Sequence, residues 1–275
     1  CLSKRPPLDF VATLDSSYIY SNKTKFWQIQ RDADNQYIVA LYNGGIPSNP
    51  LAVTTPPVAY YDLGQGSAYA SGSAGIVEPN LAAATGSTVF DFDGVDDYVS
   101  IYDGTAGGGP SSLKFTSTDS FSISCWIQMV STSGQENIIS FRGTPLIWLY
   151  RSGTTIGFRI RGNGSGTESV ITKTTTNGAW HNIVAIRDYN SGSPQLKLYI
   201  DNVAATPVTD GTSGGFDTYD KFSIGNDNHA GGRYWFDGDI DEMAIWNKVL
   251  SADDITTIYN STNNNPGKCA NLFTG

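Results

Sequence analysis

Phe121-Ser-Ile-Ser-Cys-Trp-Ile-Gln-Met129 places an apolar residue at every second position. In an extended chain Phe121, Ile123, Cys125, Ile127 and Met129 share one face, and Ser122, Ser124, Trp126 and Gln128 share the other. A nine-residue strand of this kind buries one face against a second layer. Working outward, further period-two segments recur at 58–63, 88–93, 98–102, 137–141, 146–151, 156–161, 181–187, 195–201, 222–225 and 234–246, separated by turn-forming residues. Strands that each bury one face predict an all-β, two-sheet antiparallel sandwich.

One helix is expected. Ser251-Ala-Asp-Asp254 places a serine cap three residues before an acid, and Leu250 and Ile255 occupy the positions of a hydrophobic staple. A short helix over about 252–259 follows from that pattern.

The chain has 275 residues, with 17 Lys and Arg against 26 Asp and Glu, for a net charge of −9. That field repels phosphate backbones and anionic membranes, which argues against nucleic acid as a partner. No apolar run is long enough for a membrane span. The thiol of Cys125 is expected to be buried and inert. Cys1 and Cys269 would pair only if the two tails meet. A chain opening on Cys1 reads as a processed product or a piece of something longer, with a lipidated N-terminus as one alternative.

Residues 1–50 read as an N-terminal arm, or the end of a preceding repeat plus linker, 51–262 as the main domain, and 263–275 as a tail. The repeat idea rests on Ile38-Val-Ala-Leu-Tyr-Asn43, which echoes Ile255-Thr-Thr-Ile-Tyr-Asn260. Pro47, Pro50, Pro56 and Pro57 mark the linker.

Five motifs occur in order: Phe92-Asp-Gly-Val-Asp-Asp-Tyr-Val99, Phe121-Ser-Ile-Ser-Cys-Trp126, Trp180-His-Asn-Ile-Val184, Leu196-Lys-Leu-Tyr-Ile-Asp-Asn202 and Gly238-Asp-Ile-Asp-Glu-Met-Ala-Ile-Trp-Asn247. Together they resemble the laminin-G-like, concanavalin A-like jelly-roll family over roughly residues 58–261. The resemblance implies a jelly roll used in adhesion, glycan binding, accessory modules of secreted enzymes, or virion appendages. It also implies a structural cation, Ca²⁺ being the candidate, held by Asp241 with oxygens from the first strands, for which Asp93 and Asp96 are candidate partners.

Asp239 joins that candidate set, but Asp237, Asp239 and Asp241 stand about 6.6 Å apart along one face of a strand and cannot all bind one ion without a bend. An EF-hand loop is excluded because its sixth position would be Glu242 rather than glycine. Related glucanases carry Glu-x-Asp-x-x-Glu, and aligning Asp241 with its central Asp puts Asp239 and Ala244 where the two glutamates belong. Without the acid/base carboxyl, retaining glycosidase chemistry has no basis. His181 and His229 lack a Gly-x-Ser-x-Gly elbow near any serine and read as structural. Asn22, Asn163 and Asn260 are glycosylation acceptors only if a eukaryotic secretory pathway makes the chain.

Sugar rings stack on Trp and Tyr while Arg, Asn and Asp bind hydroxyls. Trp148, Tyr150, Arg151, Asn226, Asp227 and Trp235 therefore form the candidate ligand-binding set, with Tyr234 beside them. The expectation is a non-enzymatic, extracellular or virion-surface adhesion module that binds glycans or a surface receptor. The alternatives are a structural virion subunit, packed against neighbouring subunits or tandem repeats, and an accessory domain of a secreted glycoside hydrolase.

Overall fold

The computed structural model describes residues 24–30, 36–42, 59–62, 69–70, 76–80, 90–102, 109–130, 134–143, 145–164, 166–190, 192–218, 221–227 and 234–262. Asn22, His229, the linker prolines, Cys1 and Cys269 lie outside them. The chain divides into two units, Cys1–Pro47 and Ser48–Gly275. In the first, β1 (Thr24–Gln30) pairs antiparallel with β2 (Gln36–Tyr42).

The second unit opens with β3 (Ala59–Asp62), β4 (Tyr69–Ala70), β5 (Ile76–Asn80), β6 (Phe90–Asp93) and β7 (Tyr98–Tyr102). After a single 3-10 turn at Ser111–Leu113 come β8 (Phe121–Met129), β9 (Gln135–Arg142), β10 (Leu146–Ser152), β11 (Thr155–Arg161) and β12 (Glu168–Thr174). The chain continues through β13 (Trp180–Asp188), β14 (Gln195–Ile200), β15 (Val203–Ala204), β16 (Val208–Thr209), β17 (Lys221–Ile224) and β18 (Asp237–Trp246), and then helix α1 (Ala252–Thr262).

Two antiparallel sheets form a jelly-roll sandwich. One has the order β12-β11-β10-β9-β17-β7-β5; the other runs β15-β14-β13-β8-β18-β3-β4, with β16 on β14 and β6 on β18. The core lies between them. Phe121, Ile123, Cys125, Ile127 and Met129 of β8 face inward as their alternation requires, meeting Ile147, Leu149, Phe158, Phe222 and Val99 of the facing sheet within one buried cluster. Phe115 stacks on Phe121 with ring centroids 4.6 Å apart. Burial in that cluster pushes the Cys125 thiol far above its ordinary range, so it stays protonated.

Two bulges adjust which side chains face the core. In β18 the register with β8 shifts between Asp241 and Ala244, and Glu242 adopts φ 51°. The inward set therefore steps from Ile240 to Met243 and Ile245. In the β9–β10 pair the shift falls between Leu149 and Tyr150, which lets the neighbours Ile138 and Ile139 both join the core.

The expected helix is present and runs slightly longer than the pattern predicts. Ser251 Oγ accepts the Asp254 amide at 3.1 Å while Asp254 Oδ2 accepts the Ser251 amide at 3.2 Å, a reciprocal capping box. Leu250 and Ile255 are both buried. Tyr259 stacks on Trp126, 6.0 Å between centroids, so α1 covers part of the outer face of the nine-stranded sheet.

Several expectations are revised. The strand expected over 234–246 begins only at Asp237, because Tyr234 sits at φ 56° in the preceding turn. Strands β1 and β2 lie within residues 1–50, where no strand was expected. The echo between 38–43 and 255–260 is not a structural repeat: Ile38 is in strand β2, whereas Ile255 is in helix α1. No helix among the described residues is long and apolar enough to cross a membrane.

Candidate functional site

Because Ile147 and Leu149 point into the core, Trp148 and Tyr150 point out of the seven-stranded sheet. Strand register extends this into a cross-strand row: Val170 on β12, Arg159 on β11, Trp148 on β10, Ser140 on β9, Ser223 on β17 and Ser100 on β7. The Arg159 guanidinium carbon lies 5.7 Å from the Trp148 ring centroid and 5.2 Å from that of Tyr150. Tyr234 meets Trp148 edge-on at 5.9 Å. The Tyr150 ring lies over Gly157, where any Cβ would collide with its carbons. Ser140 stands opposite Trp148 and Asn137 opposite Tyr150, and Ser140 Oγ and Asn137 Nδ2 are buried without a hydrogen-bond partner among the described residues.

Trp148 and Tyr150 thus come together as expected, but Arg151 does not join them. Consecutive residues of a strand face opposite sides, so Arg151 turns inward. It binds Glu136 through Nε at 2.8 Å and lies 5.9 Å from the Phe236 ring. Arg159, paired opposite Trp148, takes the place expected for Arg151. Trp235 packs on Tyr98 at 5.9 Å. Asn226 accepts a short hydrogen bond from the Ser223 hydroxyl, and Asp227 is buried.

The acidic residues separate into three places. In the turn after β6, Asp93 Oδ1 accepts the amides of Val95 at 2.8 Å and Asp96 at 3.2 Å, and Asp97 Oδ2 accepts the Asp93 amide at 3.1 Å. The Val95 amide above all holds the Asp93 carboxyl below its ordinary value. Carboxylate oxygens of Asp93, Asp96 and Asp97 lie within 4.8 Å of one another. Each offers one ligand atom, short of the six to eight oxygens that Ca²⁺ takes.

Neither Asp239 nor Asp241 reaches this turn. Asp237 is the register partner of Asp93, and Asp239 stands opposite Asp91. Asp241 is four residues beyond Asp237, roughly 13 Å along the strand. It is buried opposite Trp126, its Oδ1 accepting the Glu242 amide at 2.8 Å.

His181 is bonded at both nitrogens, Nδ1 to Asp201 Oδ2 at 2.6 Å and Nε2 to Thr176 Oγ1 at 2.9 Å. Asp201 Oδ1 also accepts the Asn182 amide at 3.0 Å. Asp201 and Asn202 form the β14–β15 turn with φ of 52° and 61°, the positive pair that two-residue hairpins require. The imidazole therefore ties that turn to β13.

A family model described as the concanavalin A-like lectin/glucanases superfamily matches residues 93–256, more than half the chain. The chain belongs to this superfamily. A model of bacteriophage nozzle protein matches residues 1–101 of the same concanavalin A-like chain. No curated protein matches it. Among solved structures, the binding domain of Paraclostridial Mosquitocidal Protein 1 aligns with a TM-score of 0.62 at 12% identity, covering 78% of this chain and 54% of that one. The botulinum neurotoxin serotype D binding domain gives 0.59 at 13%, covering 75% and 51%. The serotype D ligand binding domain in complex with N-acetylneuraminic acid gives 0.56 at 15%, covering 77% and 52%. The concanavalin A-like chain spans about half the length of these structures, and the likeness is one of fold.

Within this concanavalin A-like sandwich, sequence reasoning missed Arg159, Tyr234's contact with Trp148, and the polar pair Ser140 and Asn137. The alternation Ile156, Phe158, Ile160 already placed Arg159 outward. Its partner was not visible, because only the β10–β11 register brings it beside Trp148.

Proposed function

We propose that the chain is a non-enzymatic binding module of a virion-like, surface-exposed assembly, and that it recognises a glycan on the outer face of the seven-stranded sheet. One arrangement carries the reading: Arg159 lies against the Trp148 and Tyr150 rings, whose register partners Ser140 and Asn137 bury Oγ and Nδ2 with no partner among the described residues. The part-exposed Trp148 ring suits the apolar C–H face of a sugar, and the part-exposed Arg159 guanidinium suits its hydroxyls or a carboxylate, with Tyr150 buried beside them. A solved neighbour described as a complex with N-acetylneuraminic acid supports the ligand class by fold analogy.

A glycan array tests this. Selective binding that Arg159→Ala reduces at least tenfold supports the reading; no signal across neutral and acidic glycans removes it.

The nozzle-protein match over residues 1–101 favours a second reading, in which the chain is a structural subunit of a virion appendage. Assembly of the purified chain into rings or higher oligomers supports that role, and a strictly monomeric chain at high concentration counts against it.

A further inference from the structure

A second cross-strand row lies on the outer face of the nine-stranded sheet. Asp239 of β18 stands opposite Asp91 of β6 on one side and Gln128 of β8 on the other. These three residues, with Val130, Asn177 and the glycines 178 and 238, line a pocket of about 390 Å³. A single water or ion occupies about 30 Å³, and organic ligand sites begin near 300 Å³, so the space suits a small organic group rather than a bare ion.

The polar lining consists of hydrogen-bond acceptors that lack donors. Neither Asp91 nor Asp239 has an ion-pair or hydrogen-bond partner among the described residues, and Asn177 Oδ1 is a buried acceptor left unpaired. The Gln128 amide nitrogen is already committed to the Gly178 carbonyl at 2.8 Å. A primary ammonium has three N–H donors and no acceptor, which matches the two carboxylates. Exposed Val130 and the bare α-carbons of Gly178 and Gly238 give the lining apolar surface against which a methylene stem can lie. Gly238 sits at φ 137°, where a Cβ would strike the Gln128 carbonyl oxygen, so a side chain there would displace the strand contact.

We infer that this pocket binds an alkylammonium group, the end of a lysine side chain or of a free aliphatic amine. Two carboxylates facing each other repel, and a cation seated between them relieves the repulsion. Burial first, and Asp91 second, push the Asp239 carboxyl up to about 6. The charged group facing it is Asp91 on β6; β8 presents neutral Gln128, and the turn before β13 presents neutral Asn177. Amine binding therefore weakens as the pH falls below 6 and Asp239 takes up its proton.

The full chain is titrated with cadaverine, with Nα-acetyl-lysine N-methylamide and with the uncharged Nα-acetyl-norleucine N-methylamide. The amide signals of residues 177, 178 and 238 are followed by NMR at pH 7.5 and 5. At least one amine saturates these signals at pH 7.5, the norleucine analogue does not, and binding is at least tenfold weaker at pH 5 and in Asp239→Asn or Asp91→Asn. A preference for the lysine probe assigns the ligand to a protein partner; a preference for cadaverine assigns it to a free amine. Absence of saturable shifts with both amines, an equal response to norleucine, or unchanged binding in both folded variants overturns the inference.

Discussion

A single carboxylate oxygen of Glu136 holds Arg151 and the start of β18 together. Glu136 Oε2 lies 2.6 Å from Arg151 Nη2, accepts from its Nε at 2.8 Å, and also accepts the Asp237 amide at 2.9 Å. The arginine side chain is fully buried, so removing its partner strands a charge in the interior. Glu136→Ala should destabilise the sandwich by about 3–5 kcal/mol, read as a lowered midpoint in urea unfolding. A loss below about 1 kcal/mol would show that water reaches the guanidinium.

Burial of Asp239, with Asp91 facing it, gives stability an unusual pH dependence. With its carboxyl raised from 3.8 to about 6, Asp239 binds a proton in the folded state that the unfolded chain has already lost. Its contribution to stability therefore falls as pH rises from about 4 to 6. Asp239→Asn should flatten that decline and leave Tm at pH 7.5 equal to or above wild type. Because the same variant weakens amine binding, loss of binding is separated from loss of fold.

Asp210 acts in the opposite sense. Burial raises its carboxyl, but hydrogen bonds from Thr212 and Arg187 outweigh burial and hold it below 3.8. Its contribution is present above 3.8 and is lost as pH falls through the lower folded value. Asp210→Asn should remove part of the acid limb of the Tm–pH curve below pH 4, measured by calorimetry.

Gly157 protects the binding face. A methyl group there meets the Tyr150 ring, which must swing away and leave Arg159 stacked on Trp148 alone. Gly157→Ala is expected to weaken glycan binding several-fold with a modest loss of stability. Equal affinity in the variant would show that Tyr150 is not part of the contact.

The cap of α1 is a smaller, separable element. Ser251→Ala removes the hydroxyl that accepts the Asp254 amide and should cost about 1 kcal/mol without changing ligand binding.

What was legible in the sequence was whatever depends on one strand's own pattern. Strand β8 was readable because apolar residues recur at every second position from Phe121 to Met129, whereas the bulge in β18, where the inward set steps from Ile240 to Met243, was not read. Strand β12 escaped notice because, as the last strand of its sheet, it buries only Ser169 and Ile171 and leaves Val170 exposed. The echo between 38–43 and 255–260 misled because apolar residues at the first and fourth positions suit a helix as well as a strand. Pairing between strands was hidden throughout. Sequence grouped Asp93 with Asp239 and Asp241, but register set Asp237 against Asp93 and Asp91 against Asp239. It likewise exchanged Arg151 for Arg159 beside Trp148.

The central claim is that the Trp148–Arg159 face recognises a sugar. The most direct measurement is NMR mapping of the full chain during titration with N-acetylneuraminic acid and with glycans selected on the array. The account predicts saturable shifts of the Trp148 indole and Arg159 guanidinium signals, absent in Trp148→Ala, whose Tm stays close to wild type. Saturable shifts confined to other surfaces, or none with any glycan, would contradict it.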